Sequence, residues 1–126
     1  MKEEKDNLIV QKTYSFALEV VKLYKTLTEQ KEFVLSKQLL RSGTSIGANV
    51  HEAVASVSKR DFVNKLGIAL KEAREASYWL NLLKDGGFIT AKVYEVIILE
   101  CHSIIKILNS IILTTKERYL SNTNNS

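Results

Sequence analysis

The stretch Ser42-Gly43-Thr44-Ser45-Ile46-Gly47-Ala48-Asn49 decides the fold. It reads either as a glycine-rich phosphate loop or as the middle of a helix. A phosphate loop needs a lysine after its second glycine and a strand before its first, and this stretch has neither. The helical reading has a periodicity behind it. Ser36, Leu39, Gly43, Ile46, Val50, Ala53 and Val57 recur at spacings of three and four, with Leu40, Gly47 and Val54 alongside. Each glycine costs a helix about 1 kcal/mol against alanine. Close approach of a second helix over the small residues offsets that cost.

The rest of the chain agrees. Its 126 residues suit one domain, and 45% hydrophobic with 25% charged residues is ordinary for a globular protein and excludes extensive disorder. Proline is absent and glycine occurs five times, too few for a β protein built on tight turns. A first helix is expected over residues 7–28, with Asp6 as its N-cap. Val10, Tyr14, Ala17, Val21 and Tyr24 form one stripe on it, and Phe16, Val20, Leu23 and Leu27 a second. The second helix spans residues 32–57. Ser58 and Asp61 make a capping-box-like start for a third over 59–84, which Asp85-Gly86-Gly87 ends. Thr90 caps a fourth that reaches Tyr119, with Val93, Ile97, Ile104, Leu108 and Ile111 in one stripe and Tyr94, Ile98, Cys101, Ile105 and Ile112 in the next. Four long helices with short links predict an all-α, antiparallel up-down-up-down four-helix bundle over residues 7–120, followed by a disordered polar tail over 121–126.

No catalytic constellation, metal site or cofactor motif emerges, and the chain reads as a non-enzyme. His51 and His102 fall on different helices, and metal binding needs three or four ligands at suitable spacing. Cys101 and His102 are sequence neighbours, so on a helix they point about 100° apart. Cys101 reads as a small core residue, and its solitude gives no sign of an oxidising compartment. Trp79, with Tyr78 before it, reads as core or interface. The N-terminus is charged and lacks a signal peptide's apolar core, and residues 93–113 contain Glu95, Glu100, His102 and Lys106, which argues against a membrane span. A cytoplasmic protein is the expectation.

Two surfaces stand out. The first and fourth helices carry more apolar surface than one seam hides, which predicts an oligomer, with Phe16, Val20 and Leu23 at the interface. Glu100 lies on an apolar stripe and reads as an ion pair at the bundle edge or as a polar pin between subunits. The net charge of +4 and pI near 9.2 permit contact with polyanions. Lys37 and Arg41, one turn apart, and Lys59 and Arg60 are the candidates for phosphate contact.

Ser36-x-Gln38-Leu39-x-Arg41-Ser42-x-x-Ser45-Ile46-x-Ala48-Asn49-Val50-x-Glu52-Ala53 resembles the signature of the 23S ribosomal RNA intervening-sequence proteins, also called four helix bundle proteins. The run from Asp61-Phe62 through Lys65-Leu66, Ala69-Leu70-Lys71-Glu72-Ala73 and Glu75 to Tyr78-Trp79-Leu80 is similar to the same family. Many relatives have proline where this chain has Gly47 and glycine where it has Ala53. The resemblance implies a four-helix bundle assembled as a ring, commonly a pentamer. It also implies kinship with the accessory protein of diversity-generating retroelements, a basic pentameric barrel that binds nucleic acid and a reverse transcriptase. Two functions are carried forward: a homo-oligomer that binds RNA or DNA without catalysis, and an adaptor that binds a protein partner through apolar helix faces.

Overall fold

The computed structural model describes residues 4–120, so the 121–126 tail lies outside the described residues. Four helices follow one another: α1 (Glu4–Glu29), α2 (Leu35–Val54), α3 (Lys59–Asp85) and α4 (Ala91–Thr115). One wider, π-type turn, Lys116–Leu120, continues α4.

Contacts across the seams give the topology. Gly43 lies against Val20 and Gly47 against Thr13. Arg41 meets Glu72 and Glu75, and Glu52 meets Lys65. The Cys101 thiol donates to the Ala73 carbonyl, and Lys12 faces Glu100. In the paired sets one number falls as the other rises, so neighbouring helices run antiparallel. Each helix packs on its two neighbours and, among the described residues, the diagonal pairs make no close backbone approach, which makes the up-down-up-down bundle. The α1–α4 seam is the sparsest of the four.

The small residues of α2 do what the sequence asks of them. A Cβ on Gly43 would stand 2.8 Å from a Val20 γ-carbon, and one on Gly47 would stand 3.3 Å from the Thr13 carbonyl oxygen. These glycines therefore set the α1–α2 separation.

The core of α1 differs from the sequence reading. Ile9, Thr13, Phe16, Val20, Leu23 and Leu27 are its buried face, and Tyr14 of the other stripe is 66% exposed. The spacing 9-13-16-20-23-27 is a strict alternation of four and three. Thr13 hides it by being polar, but its hydroxyl donates to the Ile9 carbonyl at 2.8 Å and so enters the core without an orphaned group. On α3, Val63 and Glu72 join the buried face, while Phe62 and Leu70 pack at its margin. Val57, expected inside, is fully exposed.

The caps explain the helix ends. Ser58 Oγ accepts from Asp61 N at 3.0 Å and Thr90 Oγ1 from Val93 N at 3.2 Å. Asp6 sits inside the first turn of α1 and is not its N-cap, because the helix is already formed at Glu4. The start of α2 shifts from 32 to Leu35, since the Glu32 carboxylate accepts from the amides of Val34, Leu35 and Ser36 at 2.9, 3.1 and 2.6 Å. Burial of Glu32 opposes its charge, but these backbone hydrogen bonds win and hold its pKa below the ordinary glutamate value. At the same end of the bundle, α1 and α3 close alike: Glu32 N reaches Leu27 O, and Phe88 N reaches Leu83 O. Gly87 takes the left-handed position there with φ 82°, while Lys31 takes it with φ 67°, a conformation that costs a side chain more than it costs glycine.

Candidate functional site

The four candidate cations have different environments. Arg41 is engaged: its Nη1 donates to Glu72 at 3.2 Å and its Nη2 to Glu75. Trp79 Nε1 also donates to Glu75, at 3.0 Å. Hydrogen bonding from Trp79 leads the causes that lower the Glu75 pKa, against opposing burial, and Arg41 adds to it. The hydrogen bond to Glu75 in turn raises that of Arg41. Glu72 is nearly buried, so Arg41 supplies the charge that its carboxylate needs. The expectation that Arg41 is a phosphate contact is corrected: two carboxylates already occupy its guanidinium. Lys59 lies over the rings of Phe62 and Tyr119, 5.8 and 4.7 Å from their centroids. Lys37 and Arg60 are exposed and have no carboxylate partner among the described residues.

Lys37 opens α2 and Arg60 opens α3, so antiparallel packing puts them at opposite ends of one face. Between them, sequence reasoning missed two further cations. Lys71 and Arg74 are exposed on α3; like Arg60, Arg74 lacks an ion-pair partner among the described residues, while Lys71 acts electrostatically on Glu75, one turn away, without a close ion pair. The signal was available: neither falls in the apolar stripe, and no acid stands between Phe62 and Lys71.

The interface candidates are corrected too. Phe16, Val20 and Leu23 are 1%, 0% and 9% exposed, inside the protomer's own core, and cannot face a second subunit. The exposed apolar surface lies instead on α4, where Val93, Val96, Leu99 and Leu113 point outward, with Leu8 and Leu18 on α1. Leu23, Val93, Val96 and Ile97 wall a groove of about 430 Å³ between α1 and α4, rimmed by Glu19, Lys22, Thr26 and Lys92. Glu100 is exposed and faces Lys12 at 3.8 Å, the bundle-edge pair of the two readings. By length and composition the segment Ala91–Tyr119 passes for a membrane-crossing helix, and one side of it is bundle core.

Burial pushes the Cys101 thiol up to about 12, which leaves it protonated and unreactive in the folded state. Among the described residues no three His, Cys, Asp or Glu side chains gather as metal ligands would.

The bundle and its unlike sides define a four-helix-bundle protein whose distinctive chemistry lies on its surfaces. The family model for the 23S rRNA-intervening sequence protein matches residues 5–110, and the chain belongs to that family. It is similar to a Bacteroides thetaiotaomicron protein of unknown function from the S23 ribosomal protein family, known from a crystal structure. The two are 56% identical over 86% of this chain and 97% of that one, with a TM-score of 0.84. No curated protein matches.

Proposed function

We propose that this protein is a non-catalytic homo-oligomer that assembles through its α1–α4 side and binds nucleic acid through cations of its α2–α3 side. The observation that carries the reading is the contrast between the outward faces of α4 and α3. Exposed aliphatic residues are most numerous on α4, at Val93, Val96, Leu99 and Leu113, whereas Arg60, Lys71 and Arg74 line one exposed stripe of α3 that holds no acid. Single exposed apolar residues are normal, but a contiguous group along one helix favours a covered state. In a ring, five-membered by the resemblance noted above, each basic residue is repeated around the axis. Many weak phosphate contacts then act together. Such binding reads backbone and not base edges, so it is salt-dependent and nearly indifferent to sequence.

Light scattering and a salt titration test it together. The expected result is a particle several times 14.3 kDa that retains RNA or DNA at about 50 mM salt and releases it as salt rises. A 14.3 kDa particle at micromolar concentration removes the assembly, and no binding at low salt removes the nucleic acid. The groove walled by Val93 and Val96 favours a second reading, an adaptor that seats a protein partner's helix there. A raised 260/280 nm absorbance ratio of the purified protein favours the first reading over it.

A further inference from the structure

The outward stripe of α3 gathers cations without acids. Arg60, Lys71 and Arg74 share it with Asn64 and Gly67, all exposed. The carboxylates that α3 does carry at this level, Glu72 and Glu75, are turned toward α2 and held by Arg41. Tyr78, 57% exposed, stands one turn beyond Arg74, about 6 Å along the axis. Its ring packs edge-on against Trp79, with centroids 5.1 Å apart and planes at 75°. Trp79 is in turn pinned by Glu75. Lys37 lies one turn before Arg41, and antiparallel packing brings it level with Tyr78.

We infer that this stripe is a track for single-stranded nucleic acid, in which Lys71 and Arg74 contact neighbouring phosphates, Arg60 meets the backbone further along, about 16 Å away on the helix axis, and the exposed face of Tyr78 stacks a base. The inference rests on the nucleic-acid reading proposed above and adds the site and the strandedness. A straight helix offers a line of cations, which suits one flexible backbone. A ring fixed at the end of that line requires a base free of its partner, which a duplex does not offer. Arg41 is then a positioning residue: it removes the two carboxylates from the track and, through Glu75, steadies the aromatic pair.

The test is fluorescence anisotropy with a labelled oligothymidylate and a duplex of equal length, across a salt series. Variants are Lys71→Ala/Arg74→Ala, Tyr78→Ala, Tyr78→Phe and, as a control of equal charge, Lys92→Ala/Lys106→Ala on α4. All replace exposed helical positions, where alanine favours the helix; circular dichroism melts verify folding, and light scattering verifies that each variant, the α4 control included, keeps the parent's particle size. The single strand should bind the parent more tightly than the duplex. The Lys71/Arg74 variant should lower the slope of log affinity against log salt by about 0.7 for each phosphate it no longer neutralises. Tyr78→Ala should weaken the single strand about tenfold, with Tyr78→Phe near the parent and duplex binding unchanged. If the parent binds neither probe, the nucleic-acid reading falls and the track with it. If the parent binds but the control lowers the slope as much as the Lys71/Arg74 variant, the track is wrong while the broader reading stands. If the duplex binds as tightly as the single strand and Tyr78→Ala changes nothing, the stacked base is wrong.

Discussion

The α2–α3 side ties its long polar side chains across the seam, Arg41 to Glu72 and Glu75, Lys65 to Glu52, the last at 3.1 Å. On the opposite side, Lys12 of α1 faces Glu100 of α4 at 3.8 Å, beside Val93, Val96 and Leu99 open to solvent. A seam closed by ion pairs engages its carboxylates from within, although Ile68 and Leu82 stay partly open on α3, and leaves exposed cations such as Arg60 and Arg74 able to meet an external anion. A seam that is thin and lined by aliphatic groups gains from being covered. On the function proposed above, one bundle would separate two kinds of contact by the choice of side chains on its faces.

Four experiments break or sharpen that contrast, taken from the largest expected effect on stability to the smallest. Gly43→Leu should remove the frame that carries both sides, because even a Cβ collides with the short, stiff Val20 side chain. A loss of about 3 kcal/mol or more in urea unfolding, on the order of severe overpacking, is expected. Gly47→Ala should stay within about 1 kcal/mol of the parent, since 3.3 Å to the Thr13 carbonyl needs only a small adjustment and alanine favours the helix.

Arg41→Met comes next. It strands the Glu72 carboxylate among apolar neighbours and should cost about 2 kcal/mol. Lys12→Ala, which breaks the ion pair on the other side, should cost less than about 0.5 kcal/mol, as exposed pairs do. Equal losses in thermal melts would erase the distinction between the seams.

Acid should attack the start of α2 through Glu32 and the α2–α3 seam through Glu75. Both have folded-state pKa values below the ordinary glutamate range. The unfolded chain therefore binds their protons first as pH falls. Their stabilisation is complete above about pH 4.3 and declines as pH drops through the folded values. Glu75→Gln should flatten that decline, and Trp79 emission, read at the same time, should change with it.

The smallest effect on the protomer belongs to Leu99→Glu. Leu99 is 67% exposed, so protomer stability should change by no more than about 0.5 kcal/mol. Light scattering should nonetheless report smaller particles. Unchanged particle size would move the assembly surface elsewhere.

The contrast was half legible in the sequence. Helix number, the closing glycine and the Ser58 and Thr90 caps follow from local signals: periodicity, hydroxyls at helix starts, a left-handed position. The small residues of α2 announced a close crossing, though not which helix crosses. What failed was the facing of α1, where Thr13 concealed a regular stripe and the core residues Phe16, Val20 and Leu23 were assigned outward. Satisfaction of a buried hydroxyl by its own helix carries no pattern that spacing alone detects. Arg41 failed for a different reason. Its partners lie 31 and 34 positions away, and a cation already spoken for reads in sequence like a free one. Glu32 looked like an ordinary first residue of α2 because a side chain that replaces the first turn differs from a helical residue only in geometry.

Cys101 gives the bundle an internal clock. Its thiol is fully enclosed between α3 and α4, hydrogen-bonded to the Ala73 carbonyl at 3.3 Å, and too weakly acidic to react in place. Alkylation at neutral pH must therefore wait for the two helices to part. The labelling rate counts those excursions directly, without denaturant. When labelling is slow compared with reclosing, the rate divided by that of a free thiol gives the opening equilibrium of the α3–α4 pair. Whether ligand or neighbouring subunits slow that clock then reports how far each stiffens the bundle from the outside.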